Sequence, residues 1–237
     1  MGFVEVTNNN YGIPLIILSE CCFGYYEGME LPFFALYEKG QIIYRKEAKN
    51  EKMEYFEIIL TNDEKNNFLN SLPFNKICNI TEKTIDASEG WTDQPMSILE
   101  LNINGYKKVR VDGYKEKYIP KEYLMIYKKL TNYSNKNAYK WYPENICVMF
   151  NKPFSDEESK KWPEYLPKVN LNEKKDDRNN LPLILENKYL KEYFEFYNNL
   201  SRFPNIEFEN HLYSIHHEME YPNINYGESM GCEDDDY

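Results

Sequence analysis

The chain is poor in the residues that most site chemistry draws on. It has three histidines, His211, His216 and His217, all in one short stretch, and ten glycines among its 237 residues. None of those glycines falls in a P-loop or a dinucleotide-binding pattern, which excludes the phosphate cradles that need backbone N–H groups free of a Cβ. No G-x-S-x-G segment is present, so the strained serine elbow of the α/β-hydrolases is excluded too. The five cysteines are odd in number, scattered and without C-x-x-C spacing, and none has a histidine partner nearby that would make it a nucleophile. Free, mostly buried thiols in a reducing cytoplasm are expected. Positive charge is also short: 28 Lys and Arg stand against 39 Asp and Glu, a formal net charge of −11. A nucleic-acid or anionic-membrane binder needs a basic footprint, so neither partner is expected. Long apolar runs are missing as well, since none approaches the roughly 20 residues that cross a bilayer. The run Ile13 to Leu18 ahead of Cys21 superficially resembles a lipoprotein leader. However, no Lys or Arg precedes Lys39, and Glu20 stands where a small residue is needed, so it is read as a strand. Met1-Gly2 lacks the Ser or Thr at position 6 of a myristoylation signal.

What the chain has in quantity is tyrosine, 22 residues, together with hairpin signals. Leu31 to Arg45, LPFFALYEKGQIIYR, places an aromatic run and a β-branched run around Glu38-Lys39-Gly40. A three-residue loop with glycine last puts the left-handed position on the residue without a Cβ, giving a type I turn with a glycine bulge. Tyr37 then pairs with Gln41. Phe34, Leu36, Ile42 and Tyr44 share one face, while Phe33, Ala35, Tyr37 and Ile43 share the other. Both faces are apolar, so the hairpin needs cover on both sides. A second hairpin runs from Met96 to Val111 around Asn104-Gly105. Turn chemistry favours a two-residue loop there, but that register sets Leu99 against Arg110. A three-residue loop through Tyr106 gathers Leu99, Leu101, Ile103, Val109 and Val111 on one face, with Glu100 opposite Arg110. The second register is expected, because exposing those apolar residues costs about 1.5 to 3 kcal/mol each. A last hairpin spans Ile206 to Glu220.

Helices are marked by their ends. Thr61 to Glu64 is a capping box after the strand Tyr55 to Leu60, with Phe68, Leu69 and Leu72 on one face and Pro73 as the stop. Pro120 opens a helix with Tyr123, Leu124, Tyr127 and Leu130 at helical spacing. Asn145 to Phe150 is a short strand. Ser155 to Glu158 forms a second capping box, opening a short helix that ends before Trp162-Pro163. Asn187 to Leu200 carries Leu190, Tyr193, Phe194 and Tyr197 on one stripe, expected to be core. Asn79 to Pro95 is a long loop, and Lys168 to Asn180 is a polar, charged segment expected to move. The fold class is α+β: mostly antiparallel sheets built from hairpins, with three or four helices packed on them. The expected organisation is a single domain over 1–237, with a looser C-terminal part over 151–237 and a flexible acidic tail over 228–237.

Two groups of residues could carry function. The loop Ser88 to Pro95 offers Trp91, Thr92, Asp93 and Gln94 as binding candidates: an aromatic face, a hydroxyl, a carboxylate and an amide at the start of a strand, beside a glycine that allows close approach. The structural alternative is that Thr92 and Asp93 close side-chain turns and Trp91 covers the core edge. The second group is His216, Glu218 and Glu220. On a strand these alternate positions share a face and could aim an imidazole and carboxylates at one metal ion. The alternative is a solvated strand face, since zinc sites usually draw on more than one element. His211, beside Asn210, is expected in a turn.

Four segments, LPFFALYEKGQIIY, TDQPMSILELNINGYKKVRV, WYPENICVMF and FENHLYSIHHEMEYP, are similar in content and order to a loose group of uncharacterised bacterial proteins. Those carry a PFFALY-x-x-G-x-VIY hairpin, a TD-x-P strand start and a Trp-Pro element. The resemblance covers most of the chain, implies a bacterial source and implies no catalytic residues; many members of the group look exported, whereas this chain has no leader. The reading that follows is a non-catalytic binding protein, immunity or antitoxin-like, that neutralises a basic protein through charge. No cofactor is expected, and the sequence does not set the oligomeric state. A metal-dependent hydrolase using His216 and Glu218 is the alternative, and a structural or regulatory subunit a third.

Overall fold

The structure, a computed structural model, describes residues 10–21, 32–47, 53–91, 94–103, 105–153, 159–170, 181–200 and 205–224. Its elements in chain order begin with strands β1 (Pro14–Cys21), β2 (Pro32–Tyr37), β3 (Gln41–Glu47) and β4 (Met53–Ile59). Helices α1 (Asn62–Asn70) and α2 (Phe74–Ile77) follow, then β5 (Thr84–Ala87), β6 (Met96–Asn102) and β7 (Tyr106–Gly113). After a 3-10 turn at Glu116–Tyr118 come α3 (Lys121–Thr131), β8 (Tyr139–Lys140), β9 (Asn145–Asn151) and β10 (Ser159–Lys161). The described chain closes with β11 (Leu181–Glu186), α4 (Asn187–Tyr197), β12 (Asn205–Phe208) and β13 (His211–Met219). This is an α+β fold of two mostly antiparallel sheets, as the hairpin pattern predicts. The described residues divide into two units: the first runs to Trp141 and takes back the residues from Tyr221 onward, and the second holds Tyr142–Glu220.

The first unit contains an eight-stranded sheet in the order β5-β7-β6-β1-β2-β3-β4-β8. Its β2-β3 hairpin forms in the expected register, with Leu36 opposite Ile42 and Phe34 opposite Tyr44. The Gly40 amide donates to the Tyr37 carbonyl at 3.0 Å, and Gly40 has φ +94°. Both faces are buried. Phe34, Leu36, Ile42 and Tyr44 join the core beneath the helices, against Tyr123, Ile126 and Leu130 of α3, and on the other face Ala35, Tyr37 and Ile43 are fully covered. The Thr61 capping box opens α1 with both reciprocal bonds made.

The β6-β7 hairpin keeps the expected face but not the expected pairs. Leu99 lies opposite Val109 and Glu100 opposite Lys108, so the loop is Ile103 to Gly105 and Arg110 faces Ile98. A shift of two residues preserves the apolar face, which is why hydrophobic pattern could not exclude it. A cross-strand side-chain bond favours the observed pairing: the Tyr106 hydroxyl donates to Glu100 at 2.6 Å. The long Asn79 to Pro95 loop contains β5, a short strand parallel to β7. Gly113 makes that approach possible, since a Cβ there would meet the Ala87 carbonyl oxygen at 2.5 Å.

The second unit contains the sheet β10-β12-β13-β9-β11. The expected capping box at 155–158 lies outside the described residues, and Ser159 to Lys161, expected in its helix, are instead a strand parallel to β12. The expected mobile segment lies mostly outside them too, at 171–180. The β12-β13 hairpin turns on Glu209 and Asn210, both with positive φ, so His211 is the first strand residue rather than a turn residue. Leu190, Tyr193 and Tyr197 are the buried residues of α4, the stripe its spacing predicts.

Candidate functional site

Within the first unit, the end of β1 and the start of β6 meet the N-terminal half of α3 around a cavity of about 150 Å³. Its walls follow from the strand and helix periods. Ser97 of β6 lies on the same face as Leu99, and it shares a hydrogen bond of 2.9 Å with the Tyr123 hydroxyl one turn into α3. Tyr127, four residues on and so on the same helical face, donates its hydroxyl to Glu20 Oε1. The two phenol rings stack with centroids 6.3 Å apart. Met96, Ile119 and Leu124 supply apolar wall, while Glu116 and Lys128, paired at 2.6 Å, stand at the exposed rim. Burial pushes both phenols well above the usual tyrosine range, and the bond to Glu20 adds to the rise at Tyr127.

Glu20 is held from behind by Arg45. The guanidinium Nη2 stands 3.9 Å from Glu20 Oε2, and the Arg45 side chain is 7% exposed against 20% for Glu20. The same guanidinium lies 3.5 Å from the centroid of the Phe33 ring. Tyr55, opposite Arg45 in the β3-β4 register, has its phenol pushed up to about 12 by burial, against the lowering effect of Arg45.

The Trp91 segment leads into this region, because Pro95 lines the cavity. Thr92 and Asp93 lie outside the described residues; Gln94 is half-buried. Trp91 is 69% exposed, so the expectation that it covers a core edge gives way to a ring facing solvent. The approach to Trp91 is built by local bonds. Asp86 accepts from the Ser88 amide at 2.9 Å and hydroxyl at 2.6 Å, and the Trp91 amide donates to the Ser88 carbonyl at 3.2 Å. Glu89, at φ +56°, gathers Lys117, Lys115 and the Tyr118 hydroxyl. Hydrogen bonds from Lys117 and Tyr118 hold its carboxyl below the usual range, and the Ser88 hydroxyl does the same at Asp86. Tyr114 and Tyr118 are also exposed, 60% and 48%, and the Tyr118 hydroxyl is the one bonded to Glu89.

His216 belongs to the second unit. It pairs with Met149 in register, and its Nδ1 lies 2.6 Å from Asn151 Nδ2. Glu218 follows on the strand opposite Cys147, and Glu220 lies past the end of β13, exposed. Among the described residues no group of three His, Cys, Asp or Glu is arranged to hold a metal ion. His217 points to the other face, where its ring meets Tyr193, Phe194 and Tyr197 edge-on, with Tyr193 Oη 3.2 Å from its Nδ1. Glu20, Ser97 and the Tyr123/Tyr127 pair were not evident as a site from sequence. The signal present was an acid inside the apolar run PLIILSEC and two tyrosines four residues apart.

Compared with known proteins, the chain matches no family model, no curated protein and no solved structure. No helix among the described residues is long and apolar enough to cross a membrane.

Proposed function

We propose that this chain is a non-catalytic binding protein of bacterial origin that captures a basic protein, in the manner of an immunity protein or antitoxin. The observation that carries this reading is the exposure of Trp91, Tyr114 and Tyr118, the last bonded to Glu89, on a chain of net charge −11. Tyrosine and tryptophan are enriched in interface centres, where a large ring is covered at small entropic cost. Negative potential speeds the approach of a cationic partner and rejects acidic ones.

The test is co-purification of a basic protein with this chain, its binding then measured by calorimetry at about 50 and about 300 mM sodium chloride. Affinity is expected to fall with salt, and Trp91→Ala to weaken it by about tenfold or more with the fold unchanged. Equal affinity at both salt concentrations, or full affinity in Trp91→Ala, overturns the reading.

A further inference from the structure

The cavity beside α3 is lined by apolar and phenolic side chains and by three charged ones: Glu116 and Lys128, which neutralise each other at the rim at 2.6 Å, and Glu20. Tyr127 satisfies one oxygen of that carboxylate, and the nearest described cation, Arg45, stands 3.9 Å from the other, beyond hydrogen-bond reach. An ionised carboxylate has about four acceptor positions, so Glu20 retains capacity toward the space it lines. Ser97 and Tyr123 share one hydrogen bond, whose two oxygens stay available as acceptors for an ammonium donor. The stacked rings of Tyr123 and Tyr127 present π-systems, which attract a cation and not an anion. A cavity of about 150 Å³ holds a body the size of benzene, or about six non-hydrogen atoms.

We propose that this cavity binds a small primary ammonium carried on an apolar body, the ammonium donating to Glu20 and the body lying against Met96, Ile119 and Leu124. Charge complementarity selects the occupant. A carboxylate would face Glu20 directly, and a neutral alcohol would forgo the charge-assisted bond. The site adjoins the exposed aromatic residues at Pro95 and Tyr114, but Glu20, Met96, Ile119 and Leu124 belong to it alone, and it does not rest on the partner reading.

The experiment titrates the full chain with pentylammonium, 1-pentanol and pentanoate, three probes of one shape and different charge, and follows binding by calorimetry and by NMR shifts. Pentylammonium is expected to bind about tenfold more tightly than 1-pentanol, with pentanoate weaker still. Glu20→Gln is expected to bring the amine down to the level of the alcohol. Leu124→Phe fills the cavity with Glu20 intact and is expected to weaken amine and alcohol alike. Equal binding of the amine and the alcohol by the unaltered protein overturns the proposal whether or not Glu20→Gln folds. No binding of the amine overturns it too, as does amine binding that Leu124→Phe leaves unchanged. Trp91→Ala is expected to bind pentylammonium normally, which separates failure here from failure of the partner reading.

Discussion

A methyl group at Gly40 would sit 2.6 Å from the Leu60 carbonyl oxygen, on a backbone whose φ of +94° already disfavours a β-carbon. At Gly105 the backbone is also left-handed, at φ +115°, but nothing lies within 4 Å. Gly40→Ala is therefore expected to cost about 2 kcal/mol or more, and Gly105→Ala about 1 kcal/mol, measured as the difference in urea unfolding midpoints. Equal costs would mean that the Leu60 contact yields freely. Gly40 was legible in the sequence because a tight turn is a local matter, decided by three neighbouring residues. Glu20 was not. Its meaning depends on Tyr127, 107 residues further on, and on Arg45 from another strand, and nothing in either neighbourhood announces the meeting.

The Thr61 capping box is the clearest example of an element specified by its own residues. The Thr61 hydroxyl accepts from the Glu64 amide at 3.2 Å, and Glu64 Oε2 accepts from the Thr61 amide at 2.8 Å. Thr61→Ala is expected to cost about 1 kcal/mol at neutral pH, read from thermal unfolding. Hydrogen bonds from the Thr61 backbone and hydroxyl hold the Glu64 carboxyl below its usual range. Its contribution is thus present above the unfolded glutamate pKa, near about 4.3, and lost as pH falls through the lower folded value. Glu64→Ala is expected to be less stable than the unaltered protein at neutral pH, and the gap to close in acid; a gap that persists there would remove the carboxylate from the cap. Elements joined by tight turns were the readable ones. Of those missed, β5 and β10 are short strands held in parallel by partners distant in sequence, and β8 and β11 pair antiparallel with strands to which no tight turn joins them. A parallel pair needs a crossover and leaves no turn signal between its strands. The β6-β7 hairpin falls between these cases: its face was set by alternation, and its register by the bond from Tyr106 to Glu100.

Across the whole molecule, tyrosine is the residue that couples stability to pH. Burial raises the phenols of Tyr11, Tyr55, Tyr123 and Tyr127 above the usual range, Tyr55 to about 12. For such a group the folded state holds its proton more tightly than the unfolded chain does. The stability is complete below the unfolded pKa of about 10 and falls as pH rises beyond it. The urea midpoint is expected to be level from about pH 7 to 9 and to drop steadily above about 10, together with the appearance of tyrosinate absorbance. A midpoint that holds steady at alkaline pH would show that these phenols ionise in place. The abundance of tyrosine was plain in the composition, but which rings lie inside was not, because burial depends on how the sheet is covered.

Part of that cover arrives from residues far along the sequence. Tyr221 packs against Trp141 and Tyr55, and the Asn223 side chain donates to the Gly12 carbonyl at 2.8 Å across 211 residues of sequence. A ribosome adding about 5 to 20 residues per second needs roughly 10 to 40 s to travel that distance. During that interval the earliest strands have emerged while the ring that will lie against Tyr55 has yet to be made. The nascent chain therefore carries an unfinished aromatic surface until Tyr221 has been made. That interval is when a chaperone has most to protect, and a stalled ribosome would leave this protein most open to aggregation.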